Sequence, residues 1–219
     1  MFEGLMILIV CGGDDPGGAQ LRRFGAEAGL LIAADRGARY CLAAGLAPDV
    51  VVGDMDSLAP VELDELAGRG ARLVRHRPDK DQTDSQLAVD LALEQSPASI
   101  CLLGAAGDRL DHSLANIHLL LRAARRGVAA RLITGAGDEL FLVGGEFELT
   151  SCAGRTVSIL PFAGRASGVT LEGFRYPLNE AVMEPWEPYG VSNVIESARA
   201  VIRVRAGWLL IMLLRPDLA

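Results

Sequence analysis

The segment Val50-Val-Val-Gly-Asp-Met-Asp-Ser57 decides how the first part of the chain folds. Three valines without alternation read as a strand covered on both faces, as in a parallel sheet flanked by helices. The strand stops at Gly53 and delivers Asp54 and Asp56 where the carboxyl ends of such strands meet in a crevice. If the backbone stays extended, the two-residue period puts both carboxylates on one side, and their repulsion calls for a cation between them. The same residues also suit an Asx turn leading to a helix at Pro60, with Asp56 or Ser57 bonding local N–H groups.

Outward from that segment, Leu5–Val10, Leu30–Ala33, Arg72–Arg75, Ile100–Leu103 and Ala129–Ile133 read as further strands. Helical periodicity falls between them, at Ala19–Ala28, Gly37–Ala44, Pro60–Ala67, Asp84–Gln95 and His112–Arg126. This alternation predicts a Rossmann-like α/β domain over residues 1–135, with a doubly wound, mostly parallel sheet. Thr83 and Gln86 form a capping-box pattern, and Asp111 is placed to cap the last helix. After Thr134-Gly-Ala-Gly137 the texture changes to β-rich runs with Gly and Pro turns, including Thr156–Leu160, Gly168–Leu171, Ala198–Arg205 and Trp208–Leu214. Gly144-Gly145 and Ala206-Gly207 read as hairpin turns, so residues 136–219 are predicted to be a small all-β sandwich or barrel.

The 219 residues are half apolar and carry a net charge of −7, which excludes disorder and the clustered basic surface of a nucleic-acid binder. An acidic chain can still bind a nucleotide when Mg²⁺ reconciles carboxylates with phosphate. The four cysteines are far apart and read as small buried residues in a reducing compartment. The apolar runs near both ends are too short for a signal segment or a membrane span, so a cytoplasmic protein is expected.

Six aspartates (Asp54, Asp56, Asp79, Asp81, Asp84 and Asp111) fall at strand ends and helix starts. Carboxylates gathered in one crevice suit Mg²⁺, a hard cation handled with phosphate, and so point to metal-assisted chemistry on a polyphosphate. In Asp79-Lys-Asp-Gln-Thr-Asp84, Asp84 has an alternative explanation in the helix dipole, and Asp81 in preceding the cap. The helix start nonetheless offers free N–H groups to phosphate, and Lys80 adds a charge. Gly104-Ala-Ala-Gly-Asp-Arg-Leu-Asp-His-Ser lets the backbone approach a ligand and supplies Arg109, while His112 and Asn116 share a helix face. His112 also reads as a packing or capping residue. Asp35 ends the second strand, where ribose or base contacts are common in such sheets. The glycines of Cys11-Gly-Gly-Asp-Asp-Pro-Gly-Gly18 lack the Walker and dinucleotide spacings. Ser192-Asn193, after Trp186 and Tyr189, suits a flat heteroaromatic ring or an ordinary turn.

Taken in order, Ala34-Asp35-Arg-Gly37, Pro48-Asp49-x-x-x-Gly53-Asp-Met-Asp-Ser57, Asp79-Lys-Asp-Gln-Thr-Asp84, Gly104-x-x-Gly-x-Arg109-x-Asp111-His112-x-x-x-Asn116 and Gly190-x-Ser192-Asn193 resemble the thiamine pyrophosphokinase family. The resemblance implies transfer of the diphosphate of ATP to the hydroxyl of thiamine, giving thiamine diphosphate and AMP. It implies Asp54, Asp56, Asp81 and Asp84 as catalytic, with Mg²⁺ on Asp54, Asp56 and Asp84. ATP would meet Asp35, Ser57, Arg109, Asp111, His112 and Asn116, and thiamine would meet Gln82, Ser192 and Asn193. A homodimer with active sites between subunits is implied as well. The chain departs from the family pattern at Arg36 and Asp108, where glycines are common, and at Gln86, a position often acidic. Arg36 and Asp108 are opposite charges that would pair if their loops meet. The alternatives are a related pyrophosphokinase acting on a pterin alcohol, a non-catalytic nucleotide or thiamine-binding regulator, and a structural oligomer.

Overall fold

The apolar runs described above become the strands of a parallel sheet. The computed structural model describes residues 4–79 and 81–216, so Lys80 lies outside the described residues. The chain divides into two compact units, one ending at Ala136 and the other beginning at Gly137.

In the first unit, β1 (Met6–Val10), α1 (Gly18–Glu27), β2 (Leu30–Ala34), α2 (Gly37–Ala43), β3 (Val50–Gly53) and α3 (Pro60–Gly68) are followed by β4 (Arg72–Arg75), α4 (Asp84–Glu94), β5 (Ser99–Leu103), α5 (Leu110–Ala124) and β6 (Ala129–Ile133). The strands pair in parallel, in the order β4-β3-β2-β1-β5-β6. The chain builds outward from β1 as far as β4, then returns to the other side of β1 with β5. The strand order therefore reverses between β1 and β5, which is where ligands enter open α/β sheets.

Successive strand residues face opposite ways. Leu8, Val10, Leu31, Ala33, Val51, Cys101 and Leu103 pack under Leu21 and Phe24 of α1, Ala38 and Cys41 of α2 and Leu66 of α3. The intervening Ile7, Ile9, Ile32, Ile100 and Leu102 are fully buried as well. They serve the other face, where α4 crosses β1–β3 and α5 lies beside β6. Covering both faces is what makes these strands uniformly apolar. Burial pushes the Cys11 thiol up to about 11 and that of Cys41 up to about 12, so both act as small apolar residues.

The Thr83 hydroxyl caps α4 by accepting from Gln86 N at 3.2 Å. The expected cap at Asp111 does not form. Instead α5 begins at Leu110 with Arg109 at its N-cap, and Asp111 lies in the first turn. No helix among the described residues is long and apolar enough to cross a membrane.

The second unit is antiparallel throughout and comprises β7 (Glu139–Val143), β8 (Glu146–Thr150), β9 (Thr156–Glu172), β10 (Leu178–Met183), β11 (Asn193–Val194), β12 (Arg199–Arg203) and β13 (Ala206–Leu213). Within it the order is β7-β13-β9-β12-β8, with β10 and β11 also on β9. Neither expected hairpin forms. β7 pairs with β13 and β8 with β12, although only two glycines separate β7 from β8. A Cβ on Gly144 would stand 2.3 Å from the Trp208 ring, so this glycine admits an indole. Neither Gly144 nor Gly145 has the positive φ that a primed hairpin turn requires. After Ala206-Gly207, β13 likewise leaves β12 to pair with β9. The runs at Thr156–Leu160 and Gly168–Leu171 are parts of one 17-residue strand, bent where Ala163 takes φ 58°. Its first half pairs with β13 and its second with β10 and β12, which gathers Val157, Ile159, Val169, Leu171, Ile202 and Ile211 into one core.

Candidate active site

The loops at the carboxyl ends of the parallel strands surround a crevice of about 570 Å³, within the first unit and at the reversal of strand order. Its floor is the glycine turn after β1 laid against the loop after β5. There Gly13 N donates to Gly104 O at 2.7 Å and Asp14 N to Ala106 O at 2.8 Å. Asn116, buried on α5, fixes that second loop by donating from Nδ2 to Ala105 O at 2.7 Å. Arg109 and His112 line the outer wall. Arg109 and Asp111 form a fork of 2.7 and 3.3 Å, which holds the Asp111 carboxyl down at about 2.

The opposite side carries carboxylates, of which Asp35 and Asp84 line the crevice and Asp54 adjoins them. Asp35, Asp54 and Asp84 each offer one oxygen, and the three oxygens lie within 4.8 Å of one another. They come from the ends of β2 and β3 and the start of α4, so the parallel sheet itself brings them together. Asp35 adopts φ 44°, an uncommon conformation for a side-chain-bearing residue and one found at ligand sites. Its Oδ1 is buried and has no hydrogen-bond partner. The Ser57 hydroxyl, also in the crevice lining, is equally orphaned. A trio of hard oxygen donors with an unsatisfied buried oxygen fits a small divalent cation such as Mg²⁺.

Asp56 lies outside this trio, and the reason is local. Met55 takes φ 64° and Asp54 Oδ1 accepts from Asp56 N at 3.2 Å. The backbone turns in the manner of an Asx motif instead of staying extended, so the period-two expectation does not apply. Met55 goes into the core beside Leu58. Asp56 remains close enough to the trio for the Asp54 charge, first among its neighbours, to raise its pKa. Ionising Asp56 therefore costs the folded state, and stability falls as pH rises through its folded pKa. Asp56→Asn is expected to raise the metal-free Tm at pH 7. The gain should vanish below about pH 3, where carboxyls are protonated, and should shrink in high salt. A pH series of thermal melts checks this.

Asp81 and Gln82 stand exposed on the turn before α4, outside the lining of the crevice. Arg36 does not pair with Asp108; its Nη2 donates to Gly13 O at 2.9 Å. In the second unit, the buried Asn193 carboxamide accepts from Tyr176 N at 3.0 Å and donates to Tyr176 O at 2.9 Å. Ser192, at φ 57°, is exposed, and its N–H donates to Ser158 Oγ at 3.1 Å. Asn193→Ala should lower stability by about 2 kcal/mol, since it leaves the Tyr176 backbone groups unpaired; a denaturant titration measures it. Gly13, Thr83, Ser85 and Ser113 line the crevice without having been singled out as site residues. Small residues at strand and helix ends carry no distinguishing signal in one sequence.

Residues 21–132 match the family profile of the thiamin pyrophosphokinase catalytic domain, and residues 146–209 that of the thiamin pyrophosphokinase vitamin B1 binding domain. The chain belongs to the thiamine pyrophosphokinase family. It is 32% identical over 212 residues to the thiamine pyrophosphokinase of Bacillus subtilis, an alignment spanning 96% of this chain and 99% of that protein. The crystal structure of the Bacillus subtilis thiamine pyrophosphokinase superposes with a TM-score of 0.87 at 30% identity, covering 97% of this chain and 100% of that one. That of thiamin pyrophosphokinase from Geobacillus thermodenitrificans gives 0.85 at 28% identity, covering 98% and 99%. Within the thiamine pyrophosphokinase family frame, the acidic trio belongs to the catalytic match, and Ser192 and Asn193 to the vitamin B1 binding match.

Proposed function

We propose that the crevice binds ATP with Mg²⁺ and transfers its diphosphate to the thiamine hydroxyl. The protein is a thiamine diphosphokinase. The hydroxyl oxygen attacks the β-phosphorus and gives up its proton to solvent, the bond from that phosphorus to the oxygen bridging to the α-phosphorus breaks, and thiamine diphosphate and AMP leave. The acidic trio beside the crevice carries this reading, because a phosphate ligand beside three carboxylates requires a cation. Asp35, Asp54 and Asp84 would hold the ion. When bound, it would neutralise charge developing on the phosphates. Asp56 stands beside them, and Asp81 is assigned to the mouth of the site. Ser57, His112 and the Arg109–Asp111 fork contact the nucleotide, while Asn116 shapes the loop that receives it. Gln82, Ser192 and Asn193 are assigned to thiamine, Asn193 by holding the Tyr176 segment in place. The vitamin B1 binding match over residues 146–209 favours thiamine over a pterin alcohol as acceptor. We further assign a homodimer in the cytoplasm, the former checked by light scattering.

Incubation with ATP, Mg²⁺ and thiamine is expected to yield AMP and thiamine diphosphate by mass spectrometry, and EDTA to stop both. ADP as the nucleotide product, or no AMP, overturns the reading.

A further inference from the structure

Two arginines line the crevice, and they are held differently. Arg109 is neutralised by the Asp111 carboxylate. Arg36 pairs with no carboxylate among the described residues. Its Nη2 donates to Gly13 O at 2.9 Å, and its guanidinium carbon lies 5.8 Å from the centroid of the Tyr40 ring. The Tyr40 hydroxyl donates to the same Gly13 carbonyl at 2.7 Å. A single backbone oxygen and an aromatic face thus fix the guanidinium while leaving the rest of its donor fork open.

The position of Arg36 gives that open fork a purpose. It directly follows Asp35, a member of the acidic trio, and its Cβ abuts Gly12, where an added Cβ would come within 3.1 Å. Arg36 therefore links the carboxylate wall to the glycine floor shared with the loop after β5. Asp14 and Asp108 also line the crevice, so an anionic ligand there meets repulsion from more than the trio. A polyphosphate held between the trio and the glycine floor would meet the Arg36 fork, whose planar donors match phosphate oxygens.

We propose that Arg36 binds the polyphosphate of the nucleotide beside the cation site and makes the crevice prefer a nucleoside triphosphate to a monophosphate. The inference rests on reading the crevice as an ATP site. Calorimetry with Mg²⁺ and a non-hydrolysable ATP analogue, and separately with AMP, tests it on wild type, R36A and R36K. R36A is expected to bind the analogue about tenfold or more weakly, ~1.4 kcal/mol, with AMP affinity unchanged. R36K, which keeps the charge without the fork, should fall between. In turnover, KM for ATP should rise in R36A while KM for thiamine stays constant. R36Q, which retains a donor for Gly13 O but no charge, gives the same reading if R36A does not fold. Unchanged analogue affinity, or equal losses for analogue and AMP, overturns the assignment of Arg36. Absence of AMP formation by the wild-type protein overturns instead the function on which it rests.

Discussion

Asp54→Asn is expected to lower kcat by about 10³-fold or more, equivalent to ~4 kcal/mol of transition-state stabilisation, with the fold intact. The substitution keeps the shape of the side chain and its carbonyl oxygen, so the bond from Asp56 N at 3.2 Å survives. What it removes is one of three negative charges whose oxygens lie within 4.8 Å. The remaining pair, Asp35 and Asp84, would offer a divalent cation one carboxylate fewer and hold it less tightly. The metal-free variant should melt no lower than wild type, because a repulsive neighbour of Asp56 has gone. The gain in Tm on adding Mg²⁺ with an ATP analogue should largely disappear. Wild-type turnover in Asp54→Asn would remove the cation from this trio.

Gly37→Ala is expected to be the most damaging small change to stability. Gly37 opens α2, directly behind Asp35 and Arg36, and an added Cβ would sit 2.0 Å from Val10 O and 2.7 Å from Val10 C. Those are backbone atoms in the central strand, so neither can swing aside as a side chain end would. Helix α2, buried at Gly37, Ala38 and Cys41, must lift off β1. The cost is about 3 kcal/mol or more, a fall in Tm of roughly 6–12 °C for a chain of this size. Gly68→Ala is the control. A Cβ there meets nothing within 4 Å at the last turn of α3, and stability should rise by about 0.5–1 kcal/mol. Calorimetric melts of the two variants should move in opposite directions; a silent Gly37→Ala would contradict the close approach of α2 to β1.

The first unit was legible in the sequence because its central strands are apolar on both faces and helix α4 has a start that the chain announces. Thr83 and the valines at Val50–Val52 are such signals, and both meet their expectations. The second unit was legible in class but not in pairing. Gly144-Gly145 has the composition of a hairpin turn, yet Trp208, distant in sequence, decides what those glycines do. Strands β10 and β11 escaped for a related reason: Leu178–Met183 and Asn193–Val194 gain their pairing from the long strand β9 and not from their own pattern. In the site, the aspartates were visible but their grouping was not. A left-handed Met55 reverses the chain between Asp54 and Asp56, and no residue type at that position forecasts it. Asp35 takes its place in the trio because β2 and β3 are neighbours, a fact of strand order.

The bond from Gly13 to Gly104 has a bearing on how the protein is made. One partner leaves the ribosome early, while the other follows only after four intervening strands and four helices have been synthesised. Until then β1 has a vacant edge, and the nascent chain is exposed to mispairing along it, as slow-forming parallel sheets are. Nucleotide cannot assist those early steps, since half of its cradle has not yet been translated; it can only reward the chain for completing them.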